Sequence, residues 1–341
     1  MNEILETLLK NLEQGREAVF CGIVESSGSA PRTSGARMLV LPGGEIRGSV
    51  GGGPVEGASL ARAVKMLGKG ERHALLPFNL SSASAADAGM VCGGAVTVLL
   101  QRVRLDQLDF FRRLGSLYAA RERPALVTIM AADSEPVLAL WSLRTGLEGA
   151  RLSEGLNAEL ARKALKTRQN FSLEEEGLKV FVEPLVAPTV LHLVGAGHVA
   201  LATAKVAAFA GFEVVVMDDR SEFASFDRYP EAREVRVLDT FDDCLPDLGP
   251  DDYVVIVTRG HLHDRDVLAQ ALRTDAGYVG MIGSRGKRDA VYRSLLETGF
   301  AQTDLDRVFC PIGLPVGADT PEEIAVSIVA EMIGVRAGQT A

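Results

Sequence analysis

Thr189-Val-Leu-His-Leu-Val194 runs into Gly195-Ala-Gly197-His198-Val199-Ala200, then into an Ala/Leu/Val stretch that ends at Gly211, then into Glu213-Val-Val-Val-Met217-Asp218-Asp219-Arg220. Short unbroken runs of aliphatic residues are the pattern of strands buried on both faces. Two such runs flank one amphipathic helix here, so the stretch predicts a βαβ unit and, with it, a parallel sheet.

Each glycine of that unit has a physical task. Gly195 permits the tight turn from strand to helix, and Gly197 lets the backbone approach a phosphate with no Cβ in the way, while small Ala200 lets the helix pack on the sheet. The free N–H groups and positive dipole end at the helix start, with His198 as its first residue, make an anion site. Asp218 stands at the tip of the second strand, about twenty residues past the glycines, where such folds bind a ribose hydroxyl. Arg220 beside it is placed to meet a phosphate. A tight turn without a ligand is the competing reading of the same residues.

Strands and helices continue to alternate beyond Arg220. Residues 234–238, 253–257, 278–282 and 308–312 read as strands, and Thr320-Pro321-Glu322-Glu323 opens a closing helix with a capping box and a proline in the first turn. The expectation for residues 188–341 is a Rossmann-like, doubly wound parallel sheet. Ligands of such sheets lie beyond the carboxyl ends of the strands, and four loops converge there, with Gly195 to Ala200, Asp218, Thr258 to Asp264, and Gly283-Ser284-Arg285-Gly286-Lys287. His261 or His263 suits general acid or base work on such a loop. A metal cluster with Asp264 would need further ligands from elsewhere.

The preceding half reads differently. Residues 2–14 carry Ile4, Leu5, Leu8, Leu9 and Leu12 at helical spacing. Ala18-Val-Phe-Cys-Gly-Ile-Val24, a hairpin over 38–48, and runs at 95–100, 125–130, 136–143 and 178–183 are predicted strands, mixed with helices at 105–121 and 156–168. This is an α+β arrangement over 1–187, and Pro184 and Pro188 punctuate its end. Ala30 to Arg37 reads as a loop with two arginines, Arg32 and Arg37. Ser49-Val50-Gly51-Gly52-Gly53-Pro54-Val55-Glu56 reads as a glycine loop opening a helix, since Pro at the first helical position gives up no needed hydrogen bond. That makes a second anion site, with arginines nearby. Cys92, between an irregular stretch and Gly93-Gly94, is a candidate for an exposed sulfur, whereas Cys21 lies inside an apolar strand.

The 341 residues suit about two domains. Thirty-six basic against forty-five acidic side chains give a net charge of -9, which argues against a partner bound by phosphate neutralisation such as nucleic acid. Met1-Asn-Glu-Ile-Leu-Glu lacks the form of a signal peptide, and no apolar run reaches the roughly 20 residues of a membrane span. The four cysteines form no C-x-x-C pair. The expectation is a cytoplasmic protein with reduced thiols, assembled as a homodimer on base rates.

Several of these motifs, in this order, resemble the xanthine dehydrogenase accessory (XdhC/CoxI) family. In the first half they are Gly28-Ser29-Ala30-Pro31-Arg32 with Gly35, Gly48 to Gly53 with Glu56, and Met90-Val-Cys92-Gly93-Gly94. In the second half they are Gly195 to Ala200, Asp218-Asp219-Arg220, Gly280-Met-Ile-Gly283-Ser284-Arg285, and Pro311-Ile-Gly313-Leu-Pro-Val-Gly317 with Thr320 to Ile324. The resemblance implies a chaperone for molybdenum hydroxylases: a protein that binds the molybdenum cofactor (molybdopterin), supports its sulfuration by a cysteine desulfurase, and delivers it to the apoenzyme.

On that reading Arg32, Ser49, Gly51, Gly52, Gly53, Glu56 and Cys92 hold one part of the cofactor, with Cys92 as a soft ligand for metal or sulfur. Gly195, Gly197, His198, Asp218, Arg220, Gly283, Ser284 and Arg285 hold a phosphate or nucleotide portion. The rival expectation is an NAD(P)-dependent oxidoreductase acting on a small molecule, with His261 or His263 as proton donor.

Overall fold

The structure, a computed structural model, describes residues 2–28, 36–79, 94–131, 134–259 and 261–338. Arg32 and Cys92 lie outside these described residues. The chain divides into two compact units, Met1–Ala187 and Pro188–Ala341. No helix among the described residues is long and apolar enough to cross a membrane.

In the first unit the chain runs α1 (Asn2–Glu13), β1 (Ala18–Gly28), β2 (Arg37–Val40), β3 (Ile46–Gly48), α2 (Gly53–Lys69), β4 (His73–Asn79), β5 (Gly94–Val103) and α3 (Leu108–Ala119). It continues through β6 (Ala125–Ala131), β7 (Val137–Ser142), β8 (Gly146–Glu148), α4 (Glu154–Lys166), β9 (Phe171–Glu175) and β10 (Leu178–Pro184). The strands form two five-stranded sheets, β3-β2-β1-β5-β4 and β8-β7-β6-β10-β9. Every pairing in them is antiparallel. α2 covers one face of the first sheet through Val55, Ala63 and Met66. α4 covers the second through Leu156, Leu160 and Ala164. α1 and α3 share a core with residues of both sheets, including Phe20, Leu39, Leu126 and Leu140.

β4 has no counterpart among the strands expected from sequence. Its residues alternate in burial, but Pro77 interrupts the run, and proline is tolerated in a sheet only where no ladder N–H is required of it. β4 is an edge strand paired to β5, which satisfies that condition. Arg37 also departs from expectation. Instead of ending a loop it begins β2, 5% exposed, and its Nε donates to Glu183 Oε1 of β10 at 2.7 Å. The guanidinium lies 4.8 Å from the Phe20 ring centroid, in space that a side chain at Gly22 would occupy. A buried charge persists only when paired and hydrogen-bonded, so Arg37 ties the two sheets together and is withdrawn from any anion site. Arg47, the other described arginine near the glycine loop, pairs at the surface with Glu45 at 2.6 Å.

The second unit comprises β11 (Val190–Val194), α5 (His198–Phe209), β12 (Glu213–Asp218), β13 (Glu234–Val237), β14 (Asp252–Ile256), α6 (His261–Ala271), β15 (Tyr278–Met281), α7 (Arg285–Glu297), a short α8 (Gln302–Leu305), β16 (Val308–Phe309) and α9 (Pro321–Arg336). Its sheet is parallel throughout, in the order β13-β12-β11-β14-β15-β16. Alternation along the strands feeds two cores. Leu191, Leu193, Val214 and Val216 face Ala204 and Ala207 of α5 and Ile328 and Met332 of α9. Val190, Val194, Val254 and Ile256 face Val267 and Leu268 of α6 and Val291 and Leu295 of α7. The sheet is doubly wound, with its progression reversing between β11 and β14.

Candidate functional site

The reversal between neighbouring parallel strands leaves the loops after β11 and β14 diverging to opposite faces, which opens a crevice at their carboxyl ends. Gly195 leaves β11 with φ +107°, and its N–H donates to the Met217 carbonyl at 2.7 Å. A Cβ on it would overlap the Val257 carbonyl. Gly197 caps α5 in an extended conformation with φ -74°, and a Cβ there would meet nothing within 4 Å. The two glycines therefore differ in kind. Gly195 is required by packing, whereas the space in front of Gly197 is open, at the N-terminus of a twelve-residue helix. His198, the first residue of that helix, is exposed.

Asp218 ends β12 and is 1% exposed. Its Oδ2 accepts the Ala196 N–H at 2.7 Å and Arg220 Nη2 at 2.9 Å. Its Oδ1 accepts the Arg220 N–H at 3.0 Å and Nε at 2.7 Å. Burial works against this carboxylate, but the Arg220 guanidinium and the two backbone N–H groups outweigh it and hold its pKa below the ordinary value. The same contact raises that of Arg220. Arg220 also stacks on Phe223 at 3.8 Å. Next in the chain, Asp219 accepts from Arg259 at 2.8 Å, which joins the loops after β12 and β14.

The loop after β14 is expected from sequence to run to Asp264. The structure instead begins α6 at His261, so His261 and His263 belong to a first helical turn rather than to a loop. The His263 ring packs on Phe241 at 4.7 Å. Asp264 is fully buried and accepts from the Thr258 hydroxyl at 2.6 Å, with Lys287 of α7 paired to its other oxygen. Lys287 Nζ donates in addition to the Ile282 carbonyl at 3.0 Å. Gly283 makes this possible, because a Cβ there would stand 2.7 Å from the Lys287 stem. Ser284 caps α7 by accepting the Lys287 N–H at 3.3 Å, and Arg285 is exposed beside it. Thr258, Asp264 and Lys287 thus form a buried clamp between the loops after β14 and β15. Sequence places these loops together but does not pair these side chains; the one local signal is a glycine four residues before a lysine at a helix start. Among the described residues no three His, Cys, Asp or Glu side chains come together as a metal site.

In the first unit Ser49, Gly51, Gly52, Gly53 and Glu56 lie together at the start of α2. Gly51, Gly52 and Gly53 have φ of +116°, +74° and +58°, a succession that only glycine adopts cheaply. The Ser49 hydroxyl accepts the Gly51 N–H at 3.0 Å and donates to Glu56 Oε2 at 2.5 Å, fastening the loop to the first turn of α2. A Cβ at Gly52 or Gly53 would meet nothing within 4 Å, so an open-faced glycine turn leads into a helix with proline at its start.

A parallel sheet in the dinucleotide-fold order with a glycine turn at its switch point, preceded by an antiparallel unit with a second glycine-opened helix, defines a two-unit protein of the Rossmann-containing class. Residues 191–332 match the XdhC Rossmann domain and residues 11–79 match the XdhC and CoxI family. The chain belongs to the XdhC and CoxI family.

It is 27% identical over 335 residues to a probable xanthine dehydrogenase subunit of Bacillus subtilis strain 168, covering 95% of both chains. It is 25% identical over 337 residues to the molybdenum cofactor insertion chaperone PaoD of Escherichia coli strain K12, covering 98% of this chain and 89% of that one. Against the uncharacterized protein YqeB of the same Escherichia coli strain the identity is 27% over 95% of this chain, which spans 44% of YqeB's length. A crystal structure from Bacillus halodurans, described as a xanthine dehydrogenase, superposes with a TM-score of 0.76 at 26% identity, covering 99% of this chain and 96% of that one.

Proposed function

We propose that this chain takes part in the maturation of xanthine dehydrogenase-type molybdenum hydroxylases, binding the molybdenum–pterin cofactor as cargo, supporting its sulfuration and handing it to the apoenzyme. The observation that carries the reading is the match along nearly the whole chain to a molybdenum cofactor insertion chaperone. It is supported by two glycine turns, one per unit, that open helices onto unfilled space. A helix N-terminus with free N–H groups and room for close approach suits the phosphate of such a cofactor.

In this reading Gly51 to Gly53 receive one part of the cofactor, with Ser49 and Glu56 holding the loop in shape. Arg32 supplies a cation, and Cys92 a soft donor for metal or sulfur. Gly197 and the start of α5, with His198, receive a phosphate portion, while the exposed Arg285 after Ser284 adds positive charge. A cysteine desulfurase supplies the sulfur, and a cytoplasmic homodimer is the working assembly. The chain's work is to bind, orient and shield.

The test is to mix the purified protein with molybdenum cofactor released from a donor enzyme, desalt it, and measure molybdenum and pterin in the protein fraction. Retention near one cofactor per chain, lost in Cys92→Ser with the fold intact, is the expected result. A folded protein that retains neither molybdenum nor pterin would sink the reading.

A further inference from the structure

We infer that Asp218 and Arg220 close the tip of β12 to a ribose diol, so that the Rossmann unit admits a phosphate-bearing ligand at Gly197 but refuses nicotinamide dinucleotides. The identity of the admitted ligand rests on the function proposed above; the refusal stands on the geometry alone.

A carboxylate at the end of the second strand recognises a dinucleotide by accepting from the ribose hydroxyl, and for that it needs a free lone pair. An ionised carboxylate has about four acceptor sites. Four donors already converge on Asp218: the backbone N–H groups of Ala196 and Arg220 and two nitrogens of the Arg220 guanidinium, all between 2.7 and 3.0 Å. The backbone donors are part of the glycine turn and of the chain direction after β12, so only the guanidinium can move. It is held in place from outside. Its ring partner is Phe223, Nε is 3.8 Å from Asp219 Oδ1, and Asp219 is itself paired to Arg259. Asp218 therefore serves as an internal strut that ties the glycine turn to β12, and Arg220 is the residue that sets specificity by filling the acid's remaining sites.

Removing the guanidinium should restore what it occupies. Arg220→Ala leaves a charged carboxylate with two open acceptor sites at the place where the dinucleotide ribose lies in this strand order. The measurement is a titration of the full chain with NADH, followed by fluorescence, and with ADP-ribose, followed by calorimetry. For the wild type we expect no saturable binding of either probe up to millimolar concentration. Arg220→Ala should bind both at least about tenfold more tightly than the wild type, since hydrogen bonds to a charged group are worth that much or more. Adding Asp218→Asn to Arg220→Ala should abolish the gain.

Tight NADH binding by the wild type, weakened by Asp218→Asn, overturns the inference without touching cofactor retention. So does a folded Arg220→Ala protein with no gain. Should Arg220→Ala melt below the assay temperature, Arg220→Gln carries the same expectation with a smaller gain, because it returns at most one donor to the carboxylate.

Discussion

Gly195 and Val257 are in backbone contact across the switch point of the parallel sheet: a Cβ on Gly195 would stand 2.6 Å from the Val257 carbonyl carbon and 2.8 Å from the Thr258 amide nitrogen. Neither atom can retreat without disturbing β14, so a side chain at 195 must shift the strand itself. Gly195 also holds φ +107°, which L side chains rarely adopt.

Gly195→Ala should therefore destabilise the second unit by at least about 2 kcal/mol, combining backbone strain with a backbone clash. Gly197→Ala should cost about 1 kcal/mol or less, because its φ is ordinary and its Cβ would face open space. Thermal melts separate the two. If Gly197 receives a phosphate, Gly197→Ala should lose ligand retention while keeping its fold; equal stability losses in both variants would refute the distinction.

The clamp of Thr258, Asp264 and Lys287 predicts an asymmetric response to mutation. Asp264→Asn leaves the largely buried Lys287 ammonium without its counter-charge, which costs roughly 3–5 kcal/mol. Lys287→Met alone should also destabilise, by stranding Asp264. The double variant should lose less than the sum of the two, as a double-mutant cycle on denaturant unfolding would read. Additive losses would mean that the pair does not act as a unit.

The described cysteines should be slow to alkylate. Burial pushes the Cys21 thiol up to about 12, against the opposing pull of Arg37, and pushes Cys244 and Cys310 up to about 11. Few thiolates form at those sites at pH 8, and the thiolate is the reactive form. A time course with iodoacetamide on the native protein, read by mass spectrometry, should show one fast cysteine, Cys92. Fast modification of Cys310 would mean that burial does not hold its thiol protonated.

Asp218 predicts a component of acid sensitivity. Burial opposes its charge, but the Arg220 guanidinium and the two backbone N–H groups hold its carboxyl below the ordinary carboxylate range, so the ionised group stabilises the folded unit at neutral pH and the contribution fades as pH falls through the lowered folded-state value. The stability gap between wild type and Asp218→Asn should be full at pH 6 and narrow toward pH 3, measured by urea unfolding at each pH. A gap that stays constant over that range would show that the ionised carboxylate is not what fastens the glycine turn.

Most of the architecture is legible in the chain itself. The strands of the second unit are aliphatic runs punctuated by glycine, and the helices carry caps such as Thr320 with Glu323, whose reciprocal hydrogen bonds the structure contains. The elements that escape are short or compromised. β4 is broken by Pro77, and β8 and β9 are too brief for alternation to stand out. The beginning of α6 is hidden because Gly260 and the two histidines resemble a loop, while Asp264, which belongs to the first helical turn, resembles a metal ligand.

The sequence by itself determined the parallel Rossmann-type sheet, the α+β character of the part before it, and the two glycine turns, because these show in local periodicities and in glycines set close along the chain, whereas the antiparallel pairing of the first unit joins distant strands such as β1 and β5. Tertiary structure alone decided what the charged residues do. Arg37 meets Glu183 across 146 positions, Asp264 of α6 meets Lys287 of α7, and Asp218 has its acceptor sites filled from two loops at once. A carboxylate or guanidinium reads the same in a sequence whether it faces a ligand or a buried partner. Burial makes the partner obligatory, and only the folded chain brings that partner within hydrogen-bond distance.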